Sequence, residues 1–340
     1  WIPAGLKRAR IRRQDLPALL VQRVARLRGE SSDLTSFLYH LTGTPDFVGY
    51  IKNVAGGSTV PHISQTQISN YVTSVPPPAP LANIVAVLDA IDELIENTRR
   101  RVELLEEMAR AIYREWFVHF RFPGHEDATL VESELGPIPE GWEATSLGAI
   151  ATLKRETVAP TEIPWGSPLV GLEHIPRGQI TLDDWGLAEA VGSRKNRFGT
   201  GDVLFGKIRP YFHKVVVAPM DGTCSGDALV LEPSEAHRGL AVMTLASSEL
   251  VALATQTANG TKMPRADWKV MNGFPVMLPP ANLAGEFTGL IDNTLGAATS
   301  LMFEARELAE IRDLLLPKLV TGQIDVSDLD LDAAVEGASG

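Results

Sequence analysis

Within SRKNRFGTGDVLFGKIRPYFHK, residues 194–214 hold six cations (Arg194, Lys195, Arg197, Lys207, Arg209 and Lys214) and a single acid, Asp202. Tyr211, Phe212 and His213 are interleaved with them. Cations so placed neutralise phosphates whatever the base sequence, and an Arg fork also fits the acceptor pair on a guanine edge. From the residues alone, a basic loop that only keeps the surface solvated fits equally well. Near the start, LKRARIRRQD sets Lys7, Arg8, Arg10, Arg12 and Arg13 at near-alternating positions. That spacing predicts a strand or ribbon with a cationic face.

Other chemistry is excluded by spacing. GDVLFGKI (Gly201 to Ile208) begins like a phosphate-cradling loop, but Ile208 stands where Ser or Thr must hold Mg²⁺. Pro210 then blocks the helix whose N-terminus would bind phosphate. No G-x-G-x-x-G follows a strand pattern, no H-E-x-x-H or paired Cys marks a metal, and the seven His are scattered. No catalytic residue, metal ligand or cofactor is expected. Asp89, Asp92, Glu93 and Glu96 read as a solvated helix face. The lone Cys224 excludes an internal disulfide framework and reads as a small packed residue in a reducing cytoplasm.

Net charge is −11, which argues against a protein that coats nucleic acid uniformly, but the charge is segregated. Residues 1–30 carry eight cations against two acids, whereas Asp325 to Gly340 carries five acids and no cation. Basic patches that meet an anion on an otherwise acidic, soluble chain fit this pattern. No apolar run approaches the roughly 18 residues of a membrane span, and no signal-peptide core follows the basic start.

The elements that must position these cations are long helices. Leu81, Ile84, Leu88, Ile91, Ile95, Thr98, Val102, Leu105, Ala109, Ile112 and Trp116 advance in strict 3-4 steps, a coiled-coil seam. At 1.5 Å per residue, about 40 residues make a rod about 60 Å long, which reads as a spacer. The chain then repeats itself. Gly57-Ser58-Thr59-Val60-Pro61 aligns with Gly260-Thr261-Lys262-Met263-Pro264, 203 positions on. The same offset carries the seam onto Ala284, Phe287, Ile291, Thr294, Ala298, Leu301, Ala305, Leu308, Arg312, Leu315 and Leu319. Arg312 breaks the pattern, with a shift to Ile311 expected there.

The chain therefore reads as an internal duplication, each unit a globular domain, a Pro-rich turn and a long helix. The fold class is α+β, with short β-rich runs such as GDVLFGKIRP, KVVVAP and ALVLEP in the second domain. The expected boundaries are 1–80 for the latter part of the first domain, 81–120 for its helix and 121–140 for a linker. The second domain follows at 141–280, its helix at 281–320, and an acidic, disordered tail at 321–340. By the offset, roughly 65 residues of the first domain are expected before Trp1, so the chain reads as a partial sequence.

These phrases resemble the specificity subunit of type I restriction–modification systems. The likeness lies in GSTVPHIS with NYVTSVPPP, the heptad helix ending LLEEMARAIYREWFVHFRFPG, SELGPIPEGWEATSLG, GDVLFGKIRPYFHKVVVAP and the final LLLPKLVTGQIDV. The resemblance implies tandem target-recognition domains whose long helices pair as an antiparallel coiled coil. It implies a non-enzymatic subunit that binds double-stranded DNA at a bipartite site, with two modification (methyltransferase) subunits and restriction subunits as partners. About 60 Å of rod corresponds to roughly 18 base pairs, an upper bound on the spacer. The DNA-facing set is then Arg8, Arg10, Arg12, Arg13, Thr59, His62, Arg194, Lys195, Arg197, Lys207, Arg209, Tyr211, His213, Lys214, Thr261, Lys262 and Arg265. The rival from the residues is a duplicated coiled-coil scaffold that binds only protein.

Overall fold

Proline clusters set where the two longest elements begin. A computed structural model describes residues 7–22, 24–55, 63–133, 136–260 and 262–326. Its first helices are α1 (Ser32–Leu41), α2 (Pro45–Val54) and α3 (Gln65–Ser69), then α4 (Pro78–Phe117). Each short helix is started by a hydroxyl cap: Ser31 accepts from Leu34 N, Thr44 from Phe47 N, and Ser64 from Gln67 N. Pro78 and Pro80 fall in the first turn of α4, where their missing N–H groups leave no gap in the hydrogen-bond ladder.

After α4 come β1 (Leu130–Ser133), β2 (Gly136–Pro139), β3 (Glu143–Ser146), β4 (Ala151–Lys154), β5 (Thr157–Val158) and β6 (Pro168–Val170). β7 (Gly186–Leu187), β8 (Lys195–Phe198), β9 (Val203–Gly206), β10 (Val215–Val217), β11 (Gly222–Cys224) and β12 (Ala228–Pro233) follow. The chain continues with α5 (Arg238–Leu245), α6 (Ser248–Gln256), α7 (Trp268–Met271), β13 (Pro275–Leu278) and α8 (Ala281–Val320). α2, α3 and α4 start at Pro45, Gln65 and Pro78; α6, α7 and α8 start at Ser248, Trp268 and Ala281, each 203 positions on. The duplicated sequence thus folds into a repeated order of helices.

The described residues form two compact units. One comes from Trp1–Asn97 and Ala305–Gly340, the other from Thr98–Glu304. In the first, Phe37 and Leu41 of α1 share a core with Leu81, Ile84, Val85 and Leu88 of α4 and Leu316, Leu319 and Val320 of α8. In the second, β10-β9-β12-β4 form one sheet and β5-β8-β11-β6-β7 another. The pairing is antiparallel apart from β11 beside β6. Its main core joins Phe205, Val215 and Leu231 from the first of these sheets with α5 and α6, Trp116 and Phe117 of α4, and Phe287 and Ile291 of α8. Gly239 is required for this packing, since a Cβ there would lie 2.8 Å from the Thr288 backbone.

The seam of α4 lies as its spacing predicts, with every position from Leu81 to Trp116 buried or half-buried. On α8 the buried line steps one residue on, to Leu295, Met302 and Leu316 in place of Thr294, Leu301 and Leu315. Thr294 instead returns its hydroxyl to Leu290 O at 2.7 Å. The expected shift to Ile311 does not occur: Ile311 is exposed, and Arg312 turns inward to donate to Asp92 Oδ1 at 2.9 Å. A charge stays in the helix contact because a carboxylate meets it. Asp89 and Asp92, expected on a solvated face, are accordingly partly buried in ion pairs. Among the described residues no single helix is long and apolar enough to cross a membrane.

Candidate nucleic-acid interface

Two backbone segments meet at one edge of the larger unit. Ile208 bridges Arg265, Arg209 N donates to Pro264 O at 2.8 Å, and Ala266 N donates to Lys207 O at 2.9 Å. The loop Asn259–Arg265 closes on itself through a second bridge. Lys207, Arg209 and Arg265, far apart in sequence, are therefore brought together, and Lys262 sits exposed on the same loop. Thr59, His62 and Thr261 lie outside the described residues.

The loop between β9 and β10 is strained. Arg209 and His213 both adopt left-handed backbone, at φ 51° and 50°, flanking the single turn Pro210–Phe212. Non-glycine residues in this region cost of order 1–3 kcal/mol and persist where the surroundings hold them, often at ligand-facing positions. His213 is held by its ring Nε2, 2.9 Å from Ala246 O, and by Gly178 N donating to its carbonyl at 2.8 Å. Arg177 lies over the Phe212 ring at 3.9 Å, while Tyr211 and Arg209 project to solvent. Lys207 Nζ donates to Gly226 O at 3.0 Å, and Lys214 Nζ to Leu172 O. Burial, and then the Arg177 charge, push the Lys214 amine below its ordinary value. Lys207 is followed by this short turn and no α-helix, so no phosphate loop forms.

The other half of the basic stretch belongs to a different sheet. Lys195 and Arg197 lie on β8, with Arg194 just before it. Arg197 pairs with Glu156 at 2.9 Å, Arg194 donates to Thr157 Oγ1 at 3.4 Å, and Lys195 to Ser193 Oγ at 3.0 Å. The Arg197–Glu156 pair is half-exposed on both sides and holds its partners weakly. The turn at Gly226–Ala228 links the two groups, since Asn196 Nδ2 donates to Ala228 O at 3.1 Å.

The amino-terminal cations behave differently from expectation. Residues 7–12 form no strand, and Arg13–Asp15 is a single 3-10 turn. Arg8 donates to Tyr39 O at 2.6 Å and lies over the Tyr39 ring; burial lowers its pKa. Arg10 pairs with Asp89 at 2.6 Å, and Arg12 with Glu96. The expected strand with a cationic face is absent, and Arg8, Arg10 and Arg12 turn onto α1 and α4 instead. Arg13 is exposed.

Spacing gave no sign of Glu106, which is buried on α4 one position past the seam residue Leu105. It accepts from Ile180 N at 2.9 Å, Thr181 N at 2.8 Å and Thr181 Oγ1 at 2.7 Å. Only the rarity of fully buried carboxylates could have flagged it, and burial is not written in the residue itself. Cys224 is packed, its thiol pushed up to about 12 by burial. Among the described residues no group of His, Cys, Asp and Glu could hold a metal.

The larger unit thus carries a basic, strained loop on an α+β domain. Comparison with known proteins finds specificity subunits. The chain is 26% identical over 305 residues to the type I restriction enzyme MjaIX specificity subunit of Methanocaldococcus jannaschii, covering 87% of this chain and 70% of that one. It is 24% identical over 318 residues to the EcoDI specificity subunit of Escherichia coli, covering 85% and 70%. A crystal structure of the type I restriction–modification S subunit from M. genitalium superposes with a TM-score of 0.49 at 14% identity, covering 84% and 72%. No protein-family model matches. Over most of its length the chain is thus similar to specificity subunits of type I restriction enzymes.

Proposed function

We propose that this chain is the DNA-recognition subunit of a type I restriction–modification complex. It reads a bipartite target through two recognition domains set on paired long helices, and docks two modification subunits and the restriction subunits. The observation that carries this reading is the similarity to specificity subunits over 85–87% of the chain. The repeated order of helices supports it, because two similar domains suit two half-sites and two equivalent docking places. Two modification subunits per chain are expected by native mass spectrometry at saturation, and a single tightly held copy would contradict this.

An antiparallel coiled coil is supported by contacts inside each unit. Leu81 shares a core with Leu319, Asp92 meets Arg312, and Phe117 meets Phe287. Cysteines introduced as Leu81→Cys and Leu319→Cys are expected to crosslink. Efficient crosslinking of Leu81→Cys with Ala284→Cys instead would show a parallel pair. The buried native Cys224 does not interfere.

The DNA surface is drawn on Lys207, Arg209, Tyr211, Lys262 and Arg265, flanked by Arg194, Lys195 and Arg197. If Arg209 reads a base edge, Arg209→Ala weakens binding to the cognate duplex by about 1–3 kcal/mol and relaxes specificity at one position. Lys262→Ala, removing a phosphate contact, weakens binding to all duplexes alike and lowers the salt slope by about one unit. A salt series of duplex binding tests both. Unchanged affinity and slope in a variant neutralised at all these cations would remove the surface from the interface. A wild-type chain with no salt-dependent DNA shift would favour the protein-only scaffold.

A further inference from the structure

One strap of the larger unit touches both the long helices and the strained loop. Arg110 of α4 donates to Gly178 O at 2.6 Å and to Glu106 Oε2 at 3.1 Å, while Glu106 holds the strap at Ile180 and Thr181. Further along, Trp185 packs with Val102 of α4 and with Ala298, Met302 and Phe303 of α8. On its other side the strap enters the sheet: Thr181 bridges Val217 of β10, and Val217 N donates to Ile180 O at 2.8 Å. The helix contact and the loop contacts fall on adjacent residues, because Arg110 reaches Gly178 O, Gly178 N donates to His213 O and Arg177 covers Phe212.

We propose that Glu106 and Arg110 are positioning residues for DNA reading, setting Arg209 and Tyr211 through the strap 177–181. The inference rests on the proposed DNA-recognition role. The chemistry supports a stiff link. A buried carboxylate with three donors on one strap has little freedom, and an exposed alternative for that carboxylate would leave two strap N–H groups unsatisfied. Arg209 and His213 are in left-handed backbone that the loop alone does not favour, so an external hold is needed there. The hydrogen bond from Gly178 N acts directly on one of these two residues, at the His213 carbonyl. The long helix therefore does more than separate domains: it fixes the attitude of the reading loop relative to its own axis.

The experiment compares wild type with Arg110→Ala and Glu106→Gln in the full chain. Hydrogen exchange is the first readout, and it needs no DNA. The amides of Arg209 and of residues 211–213 are expected to exchange at least tenfold faster in Arg110→Ala, with β9 and β12 unchanged. Uniform acceleration would mean a purely structural role, and no change at these amides would overturn the proposal. Arg110→Ala, on a side chain about a quarter exposed, keeps the test open should Glu106→Gln fail to fold. The second readout uses a duplex selected by wild type from a random pool. Its affinity is expected to fall about tenfold in Arg110→Ala, the scale of one lost base contact, while affinity for an unrelated duplex holds. Equal loss on both duplexes would overturn the positioning role. A wild type that selects no duplex would instead defeat the DNA-recognition reading, leaving the exchange result to judge the strap on its own.

Discussion

Phe287→Ala is expected to destabilise the larger unit by about 3–5 kcal/mol, the usual cost of emptying a buried aromatic site. Phe287 is fully buried on α8 and is ringed by aromatics of α4. Its ring centroid lies 4.7 Å from Phe117 edge-on, 5.4 Å from Trp116 and 6.5 Å from Tyr113. Such pairs add to plain area burial, and no small rearrangement of three large rings fills the void. Urea unfolding followed by tryptophan fluorescence measures it, Trp116 and Trp142 being in the same core. A loss below about 1 kcal/mol would mean the helices part from the domain core without consequence.

The second large effect sits in the smaller unit. Asp89 accepts from Arg10 at 2.6 Å, from the His40 Nε2–H at 2.6 Å and from Ser36 Oγ at 3.1 Å. Asp89→Ala leaves the fully buried His40 ring and the Arg10 guanidinium without this partner. With the carboxylate about a quarter exposed, a loss of about 2–3 kcal/mol is expected. Burial alone would raise the Asp89 pKa, but the hydrogen bonds from His40 and Arg10 outweigh it and hold the carboxyl well below the usual range. A depressed carboxylate stabilises the fold fully above its unfolded value, near ~4, and loses that contribution as pH falls through the interval below it. Wild type should therefore lose stability on acidification below about pH 4 more steeply than Asp89→Asn, by denaturation midpoints. Parallel acid profiles would show that the network contributes nothing.

What could be read from the sequence was whatever has a period. The steps from Leu81 to Trp116 and the 203-position offset depend only on local geometry, so the long helices and their repetition were visible. Ion pairs have no period. Arg10, Arg12 and Arg312 each stand on or beside a regular pattern, and nothing in that pattern names Asp89, Glu96 or Asp92 as the partner. The six cations of residues 194–214 looked like one patch because they are close in sequence. β9 runs between them and delivers one half to each of two sheets, while Arg265 arrives from 56 positions beyond Arg209. The alternation of Arg8, Arg10 and Arg12 suggested a strand that does not form. The strained backbone at Arg209 and His213 had no compositional trace, since glycine is the residue that normally announces it.

The inward pair of Arg312 with Asp92 bears on how such a chain avoids misassembly. Apolar seams tolerate sliding, because one heptad further along Leu meets Leu again. Seven positions either side of Asp92 stand Val85 and Arg99. A slip of one heptad, about 10 Å, would press Arg312 against an aliphatic side chain or a like charge. A charge pair on the helix contact can therefore act as a key cut for one lock, trading some stability for one permitted alignment. If the long helices act as the proposed spacer, its length would be inherited from that key, and drift in the surrounding leucines would leave it untouched.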